Sequence, residues 1–137
     1  MAAALSLAER GVGRTGNNPS VGCVIVKNDT VIGRGWTQSG GRPHAEAMAL
    51  AQAGAEARGS TVYVTLEPCA HVSQRGPACA QLLKEAAPAR VIVALQDPDA
   101  RTAGQGMAAL KALGIEVVAG VMASDARLNL AGFLSRM

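Results

Sequence analysis

The stretch from residue 61 to residue 95, TVYVTLEPCAHVSQRGPACAQLLKEAAPARVIVAL, decides the fold of this chain. Two runs rich in β-branched residues, 61–65 and 90–95, are predicted strands, and the segment 77–86, which begins at a proline, is a predicted helix between them. A strand, a crossover helix and a second strand form a unit in which the two strands lie parallel and the connection is right-handed. This part of the chain is therefore predicted to be of the α/β class.

Further elements extend this unit toward both ends of the chain. On the C-terminal side we predict a helix over 104–113, a strand over 115–119 and a last helix over 123–135. On the N-terminal side we predict a helix over 2–12, strands over 21–27 and 30–36 joined at Asn28-Asp29, and a helix over 44–54. The expected fold is one domain over residues 1–137, with a three-layer α/β/α arrangement. Its five-stranded mixed sheet has strands 3, 4 and 5 parallel.

Composition limits the classes of function that are open to the chain. Of its 137 residues, 49% are hydrophobic and 17% charged, which is typical of a globular domain, and no apolar run approaches a membrane span. The N-terminus lacks the basic segment of a signal peptide. The net charge of +3 comes mostly from arginine, whose planar guanidinium suits phosphate. Aromatic residues are scarce at 2%, which disfavours single-stranded nucleic acid as a partner and leaves an anionic small molecule as the favoured one.

Three separated segments combine ligand-forming side chains with nearby prolines: His44-Ala45-Glu46, Glu67-Pro68-Cys69 and Pro77-Ala78-Cys79. One imidazole and two thiolates form the ligand set of a zinc ion that keeps its fourth position open for water, as catalytic zinc sites do. Any one of these residues alone would more simply be a core cysteine or a surface histidine. Because both cysteines follow prolines outside long apolar runs, we interpret His44, Cys69 and Cys79 as zinc ligands.

The third cysteine, Cys23, lies in the apolar run 21–26 and is predicted to be a buried strand residue. An odd number of cysteines, two of which are assigned to a metal, argues against disulfides. We therefore expect a cytoplasmic protein.

A zinc ion held by these three ligands would lower the pKa of its bound water to about 7, so that hydroxide is present at neutral pH. Such a site also needs a group that moves protons. Glu46, two positions after a ligand and on the same predicted helix, is the candidate for this shuttle. The alternative for Glu46 is an ordinary exposed carboxylate on a helix.

The pattern of His44-Ala45-Glu46 followed by Pro68-Cys69 and a second cysteine resembles the zinc deaminases of the cytidine deaminase superfamily. Nine residues separate Cys69 from Cys79, and the loop between them contains His71. A long loop with a histidine at this place resembles that of the bifunctional riboflavin-biosynthesis deaminase/reductase, in its deaminase half, diaminohydroxyphosphoribosylaminopyrimidine deaminase. The resemblance covers nearly the whole chain, including NPSVGCVIV (18–26), GGRPHAE (40–46) and the closing LNLAGFL (128–134).

The resemblance implies zinc-dependent, hydrolytic removal of an exocyclic amine from a phosphoribosylated diaminopyrimidinone, an early step of riboflavin synthesis. It implies that Asn18 and His71 contact the pyrimidine or ribose and that Arg75 faces the phosphate. Asp99 stands where the family usually has an asparagine, at the exit of the neighbouring strand, and is included among the substrate-binding candidates.

Three further expectations concern the whole molecule. The reductase half is absent from these residues, and we expect a homodimer or higher homo-oligomer, as in other small members of the superfamily. The alternatives are a related deaminase of cytosine, guanine or adenosine type and, from another class, a non-catalytic interaction domain stabilised by zinc.

Overall fold

The sheet order explains how separated parts of the sequence come to one place. The computed structural model describes residues 1–70, 76–100 and 102–136, so that His71 and Arg75 lie outside the described residues. Within these ranges, five strands form one mixed sheet in the order β2-β1-β3-β4-β5. The strands are β1 (Gly22–Lys27), β2 (Thr30–Trp36), β3 (Thr61–Val64), β4 (Arg90–Val93) and β5 (Glu116–Ala119).

Strand β1 pairs antiparallel with both β2 and β3, whereas β3, β4 and β5 run parallel, as predicted. The turn between β1 and β2 consists of Asn28 and Asp29, whose φ angles of 51° and 61° are both positive. These angles suit a tight hairpin whose twist matches that of the strands, and asparagine and aspartate tolerate them well. The predicted hairpin is therefore confirmed.

Helices cover both faces of the sheet. They are α1 (Ala2–Glu9), α2 (Ala45–Ala53), α3 (Cys79–Ala86), α4 (Gln105–Ala112), α5 (Ala123–Asn129) and α6 (Ala131–Leu134). Helices α2, α3 and α4 follow one another in contact on one face, and α1 and α5 pack together on the other. This is the predicted three-layer arrangement.

The strands divide their side chains between two apolar layers because successive residues point to opposite faces. Buried residues at alternate positions of β1, β3 and β4 pack with α2, α3 and α4: Cys23, Ile25, Val62, Val64, Val91 and Val93. The intervening positions Val24 and Tyr63 pack with Ala4 and Leu7 of α1. Cys23 is fully buried, as predicted.

Several predicted boundaries were wrong by a few residues. Helix α1 ends at Glu9 rather than 12, because the chain leaves the helix through short-range turn bonds at Arg10 and Gly11. Helix α3 begins at Cys79 rather than 77, since Ala78 is still extended. The predicted helix over 123–135 is broken at Leu130 into α5 and α6.

The remaining differences are one or two residues at the ends of elements. The strands predicted over 21–27, 61–65, 90–95 and 115–119 are one or two residues shorter in the structure, and the helices predicted over 44–54 and 104–113 begin and end one residue inside those limits. Gly54 and Gly104, with φ of 58° and 84°, set two of these limits. Among the described residues, no helix has the length and apolar character needed to cross a membrane.

Candidate active site

The three predicted ligands meet at the end of the sheet where β3 stops. Cys69 follows β3 in its exit loop, Cys79 is the first residue of α3, and His44 is the residue that caps the N-terminus of α2. The prediction placed His44 inside the first turn of α2, and it lies one residue before that turn. His44 Nδ1 lies 3.3 Å from Cys79 Sγ and 3.9 Å from Cys69 Sγ.

These separations fit a tetrahedral metal ion. The ligand atoms of His44, Cys69 and Cys79 all lie within 4.8 Å of one another. Zinc at about 2.3 Å from sulfur and about 2.0 Å from nitrogen places its tetrahedral ligands roughly 3.5 to 3.8 Å apart. Because the structure orients the same ring nitrogen of His44 toward both sulfur atoms, Nδ1 is the atom that would bind the metal.

Hydrogen bonds within the group stabilise a thiolate at Cys69. Its sulfur shares a proton with the Cys79 thiol and accepts the Cys79 backbone N–H at 3.1 Å. The hydrogen bond from Cys79, with a further one from His44, lowers the pKa of Cys69 to about 4 despite burial. The pKa of Cys79 is raised, because its proton is held by Cys69 and its thiol is buried. Thiolate is the form that binds metal.

A small cleft of about 40 Å³ opens beside this group. Its lining includes His44, Glu46 and Cys69 together with residues of the strand exits: Leu66, Glu67 and Asp97. Pro19, Val21 and Thr37 complete it. A volume of this size holds a few water-sized groups.

Glu46 is a buried carboxyl group in this cleft, not the exposed helical residue of the alternative interpretation. It lies in the first turn of α2 and is only 3% exposed. The pKa of Glu46 is raised to about 7, mainly by burial; the nearby His44 acts against this rise and Cys69 contributes to it. A carboxyl group with such a pKa can both accept and donate a proton near neutral pH.

Comparison with known proteins agrees with this site. The family model described as "Cytidine and deoxycytidylate deaminase zinc-binding region" matches residues 1–95. The chain is 42% identical over all 137 residues to the diaminohydroxyphosphoribosylamino-pyrimidine deaminase of Buchnera aphidicola subsp. Acyrthosiphon pisum, of which it covers 92%. It is 50% identical over 137 residues to the riboflavin biosynthesis protein RibD of Escherichia coli, of which it covers 37%.

The chain belongs to the cytidine and deoxycytidylate deaminase family, in its RibD branch. A solved structure of Acinetobacter baumannii RibD matches it with a TM-score of 0.95 and 49% identity, covering 99% of this chain and 38% of that one. The chain thus spans little more than a third of the length of the RibD relatives, and matches their deaminase part. Its His44, Cys69 and Cys79 donors fit the zinc of this family of hydrolytic deaminases.

The structure adds cleft residues that the predicted site of this RibD-branch chain lacked, among them two acidic residues, Glu67 and Asp97. Asp97, two residues before the predicted Asp99, is 8% exposed and lines the cleft. Burial raises the pKa of Asp97. Asp99 is half-buried and donates its backbone N–H to Asp97 Oδ1 at 2.9 Å. Asp97 could have been selected from its position in the sequence, because it is the acidic residue closest to the end of β4 and hence to the sheet edge.

The other predicted substrate residues lie beside the cleft or outside the described residues. Asn18 is half-buried, its side chain packs against Gly41, and it lines a separate cavity of about 250 Å³ beside α6. Its neighbour Pro19 lines the small cleft beside His44 and the two cysteines, so Asn18 lies next to that cleft without being among its lining residues. His71 and Arg75 belong to the part of the chain that the structure does not describe.

Proposed function

We propose that this chain catalyses the hydrolytic deamination of a phosphoribosylated diaminopyrimidinone in riboflavin biosynthesis. Two relatives from Buchnera aphidicola subspecies that are named for this deaminase activity are 42% and 39% identical to the chain over all 137 residues. The chain covers 92% of each. This full-length similarity favours the riboflavin intermediate over the substrates of other deaminases.

One structural observation carries the proposal. A buried carboxyl group, Glu46, shares a small cleft with a His/Cys/Cys group whose spacing suits zinc. When bound, zinc supplies a Lewis acid that activates water at neutral pH. The positive charge of the metal favours the carboxylate form of Glu46, which suits it to act first as a base.

In the proposed mechanism the Glu46 carboxylate moves both protons of the attacking water in turn: it passes the first to the ring nitrogen beside the reacting carbon and the second to the amine, which leaves as ammonia. The walls of the cleft support this by keeping bulk water away, since Glu46 and Glu67 are 3% and 2% exposed. In such an enclosed site a proton transferred to a side chain is retained for the next step, and electrostatic interactions are stronger than in water. Deamination then needs no second acid.

The substrate contacts rest mainly on the resemblance. We propose that Asn18 and His71 bind the pyrimidine or ribose and that Arg75 binds the phosphate. We propose that Asp97 also faces the base, because it lines the cleft together with Glu46. Asp99 lies two residues further along the same loop and is also proposed to bind the substrate. Its backbone N–H donates a hydrogen bond to Asp97 and holds that side chain in place.

Ammonia release from a panel of aminopyrimidines tests the function. The panel contains the phosphoribosylated diaminopyrimidinone, its dephosphorylated form, cytidine, guanine and adenosine. The phosphorylated substrate should give the highest kcat/KM. Arg75→Ala should weaken its use by about 1.5 to 3 kcal/mol, the range for a hydrogen bond to a charged group, and affect the dephosphorylated compound far less.

Arg58→Ala is the matched control, since Arg58 is an exposed arginine outside the cleft. It should leave both substrates unaffected. A wild-type preference for an unphosphorylated base or nucleoside would instead identify a related deaminase of another substrate class.

The remaining expectations stay predictions. We propose that residues 1–137 act as one deaminase domain and pair into a homodimer or higher oligomer in the cytoplasm. A sedimentation measurement of the purified chain checks the oligomeric state.

A further inference from the structure

Glu67 is a buried acidic residue at the cleft for which the proposed mechanism has no use. It lies two residues before the ligand Cys69 and is 2% exposed. A buried carboxyl group needs hydrogen-bond partners to offset the loss of water. Its partners therefore indicate what the residue does.

Both carboxylate oxygens of Glu67 accept hydrogen bonds from backbone amides of a distant segment. Oε1 accepts the N–H of Asp97 at 3.2 Å and of Gly104 at 2.9 Å, and Oε2 accepts the N–H of Met107 at 3.0 Å. Gly104 and Met107 belong to the start of α4, whose first amides have no partner within the helix. A negative charge is favourable at this end of a helix.

These contacts connect the two loops that form the cleft. The Glu67 backbone N–H also donates to Leu95 O at 2.9 Å, so both the main chain and the side chain of Glu67 are bound to the β4 exit loop. Cys69 follows on one side of this junction, and Asp97 lies on the other. The position of Cys69 relative to Asp97 therefore depends on Glu67.

An independent feature shows that α4 rests directly on the same loop. A Cβ atom added at Gly106 would collide with the carbonyl oxygen of Pro68, and it would lie 3.4 Å from Glu67 Cγ. Only glycine permits this approach, so the first turn of α4 is packed against the peptide that leads into Cys69. The hydrogen bonds of Glu67 and the missing side chain of Gly106 hold the same two segments together.

We propose that Glu67 is a positioning residue: by binding the amides of Asp97, Gly104 and Met107, it holds Cys69 and Asp97 in their places around the cleft. Its effect on catalysis, though not its effect on metal retention, rests on the proposed deaminase function. Groups that orient metal ligands in this way commonly change metal affinity or activity by about 10- to 100-fold when they are replaced.

Glu67→Gln is the variant of choice because it keeps the size of the side chain and replaces one acceptor oxygen by an amino group. In either orientation of the amide, at least one of the three backbone N–H groups then faces another donor. We expect zinc transfer from the loaded protein to a chromophoric chelator to become about 10- to 100-fold faster. Glu85→Gln, the same change at an exposed position of α3, should release zinc at the wild-type rate.

A purely structural role would lower stability without this effect on the metal. Leu110→Ala removes a fully buried side chain from α4 and serves as the comparison for lost stability. At a temperature at which all variants are folded, Leu110→Ala should retain zinc like the wild type, whereas Glu67→Gln should not. If Glu67→Gln and Leu110→Ala release zinc equally slowly, the proposal is overturned, whatever their melting temperatures.

Two further measurements complete the test. Should Glu67→Gln not fold, Glu67→Asp is measured in the same way; it keeps both acceptors on a shorter side chain, and wild-type zinc release by this variant would also overturn the proposal. Turnover per bound zinc should also be lower in Glu67→Gln than in the wild type, because Cys69 is no longer held in its place. Zinc release needs no substrate, so a wrong substrate assignment would leave that result standing.

Discussion

At the scale of single residues, the site depends on keeping Glu46 out of water while leaving it at the cleft. Its position in the first turn of α2, one residue beyond Ala45, places it beneath the group formed by His44 and the two cysteines. Burial and the nearby thiolate raise its pKa to about 7. An exposed glutamate on the same helix would have the pKa of an ordinary carboxyl group, and it would lose a proton that it had accepted to bulk water before it could donate that proton to the leaving amine.

Glu46→Gln should keep zinc and lose nearly all turnover. The amide has almost the same shape and is not a member of the ligand group, but it cannot carry the proton, and proton transfer is commonly worth about 100-fold to 10,000-fold in rate. Metal content and the rate of ammonia release are measured on the same preparation. Glu56→Gln, at an exposed surface ion pair with Lys27, should change neither. Loss of zinc from Glu46→Gln would mean that Glu46 is a ligand.

Residue types and order were sufficient to predict which three ligand-type side chains come together, but not the whole cleft. His44, Cys69 and Cys79 were predictable because few other functions need these side chains beside these prolines. Asp97 was not selected, although the same loop drew attention through Asp99. Which of two acidic residues faces a cleft depends on where a strand leaves the ladder, and β4 ends at Val93, two residues earlier than predicted.

At the scale of secondary structure, α2 packs closely against β2 because glycine residues of β2 have no side chain where the two elements meet. Gly33 and Gly35 of β2 face the backbone of α2, and a Cβ atom at Gly35 would press on the carbonyl oxygen of Ala45 and approach Met48 Cβ at 2.8 Å. Ala45 is the first residue of α2 and follows His44 directly. The close approach therefore helps to set the position of the histidine ligand.

Gly35→Ala should destabilise the protein by about 1 to 3 kcal/mol, as overpacking of a filled interior does. It should also weaken zinc binding, because α2 must move away from β2 at the end that presents His44. Gly132→Ala is the matched control: it lies in α6 with open space around its Cα, and alanine there should be neutral or stabilising by up to about 1 kcal/mol. Chemical denaturation and zinc titration check both variants. Equal stability of the two variants would contradict this account of the β2–α2 contact.

The types of secondary-structure elements and their order were predictable from the sequence, whereas their boundaries were less so. Runs rich in β-branched residues identified the strands, and positive φ angles at Asn28 and Asp29 confirm the hairpin turn predicted from the sequence. Helix ends were harder to place. The interruption at Leu130 between α5 and α6 follows no proline or glycine at that position, so no local signal in the sequence indicated it.

At the scale of the whole molecule, the topology brings together residues that are far apart in the chain. The parallel arrangement of β3 and β4 places both exit loops at one edge of the sheet, and the N-termini of α2 and α3 arrive at the same edge. Two helix N-termini at one point favour negatively charged ligands such as thiolates. Fold and metal site are thus coupled, since each ligand belongs to a different element.

Zinc should therefore stabilise the fold as well as the site. When free zinc is roughly 100-fold above its Kd, binding to the native state alone contributes about 2.7 kcal/mol. With an unfolding entropy of about 2.1 cal/mol/K per residue, this corresponds to a rise of about 9 °C in melting temperature for 137 residues. Calorimetry with and without a chelator measures the shift.

Cys79→Ser should lose most of the shift together with its zinc. Cys23→Ala, which changes a buried cysteine outside the ligand group, should keep the shift but start from a lower melting temperature. A melting temperature that does not respond to zinc would show that His44, Cys69 and Cys79 do not bind the metal in the native state.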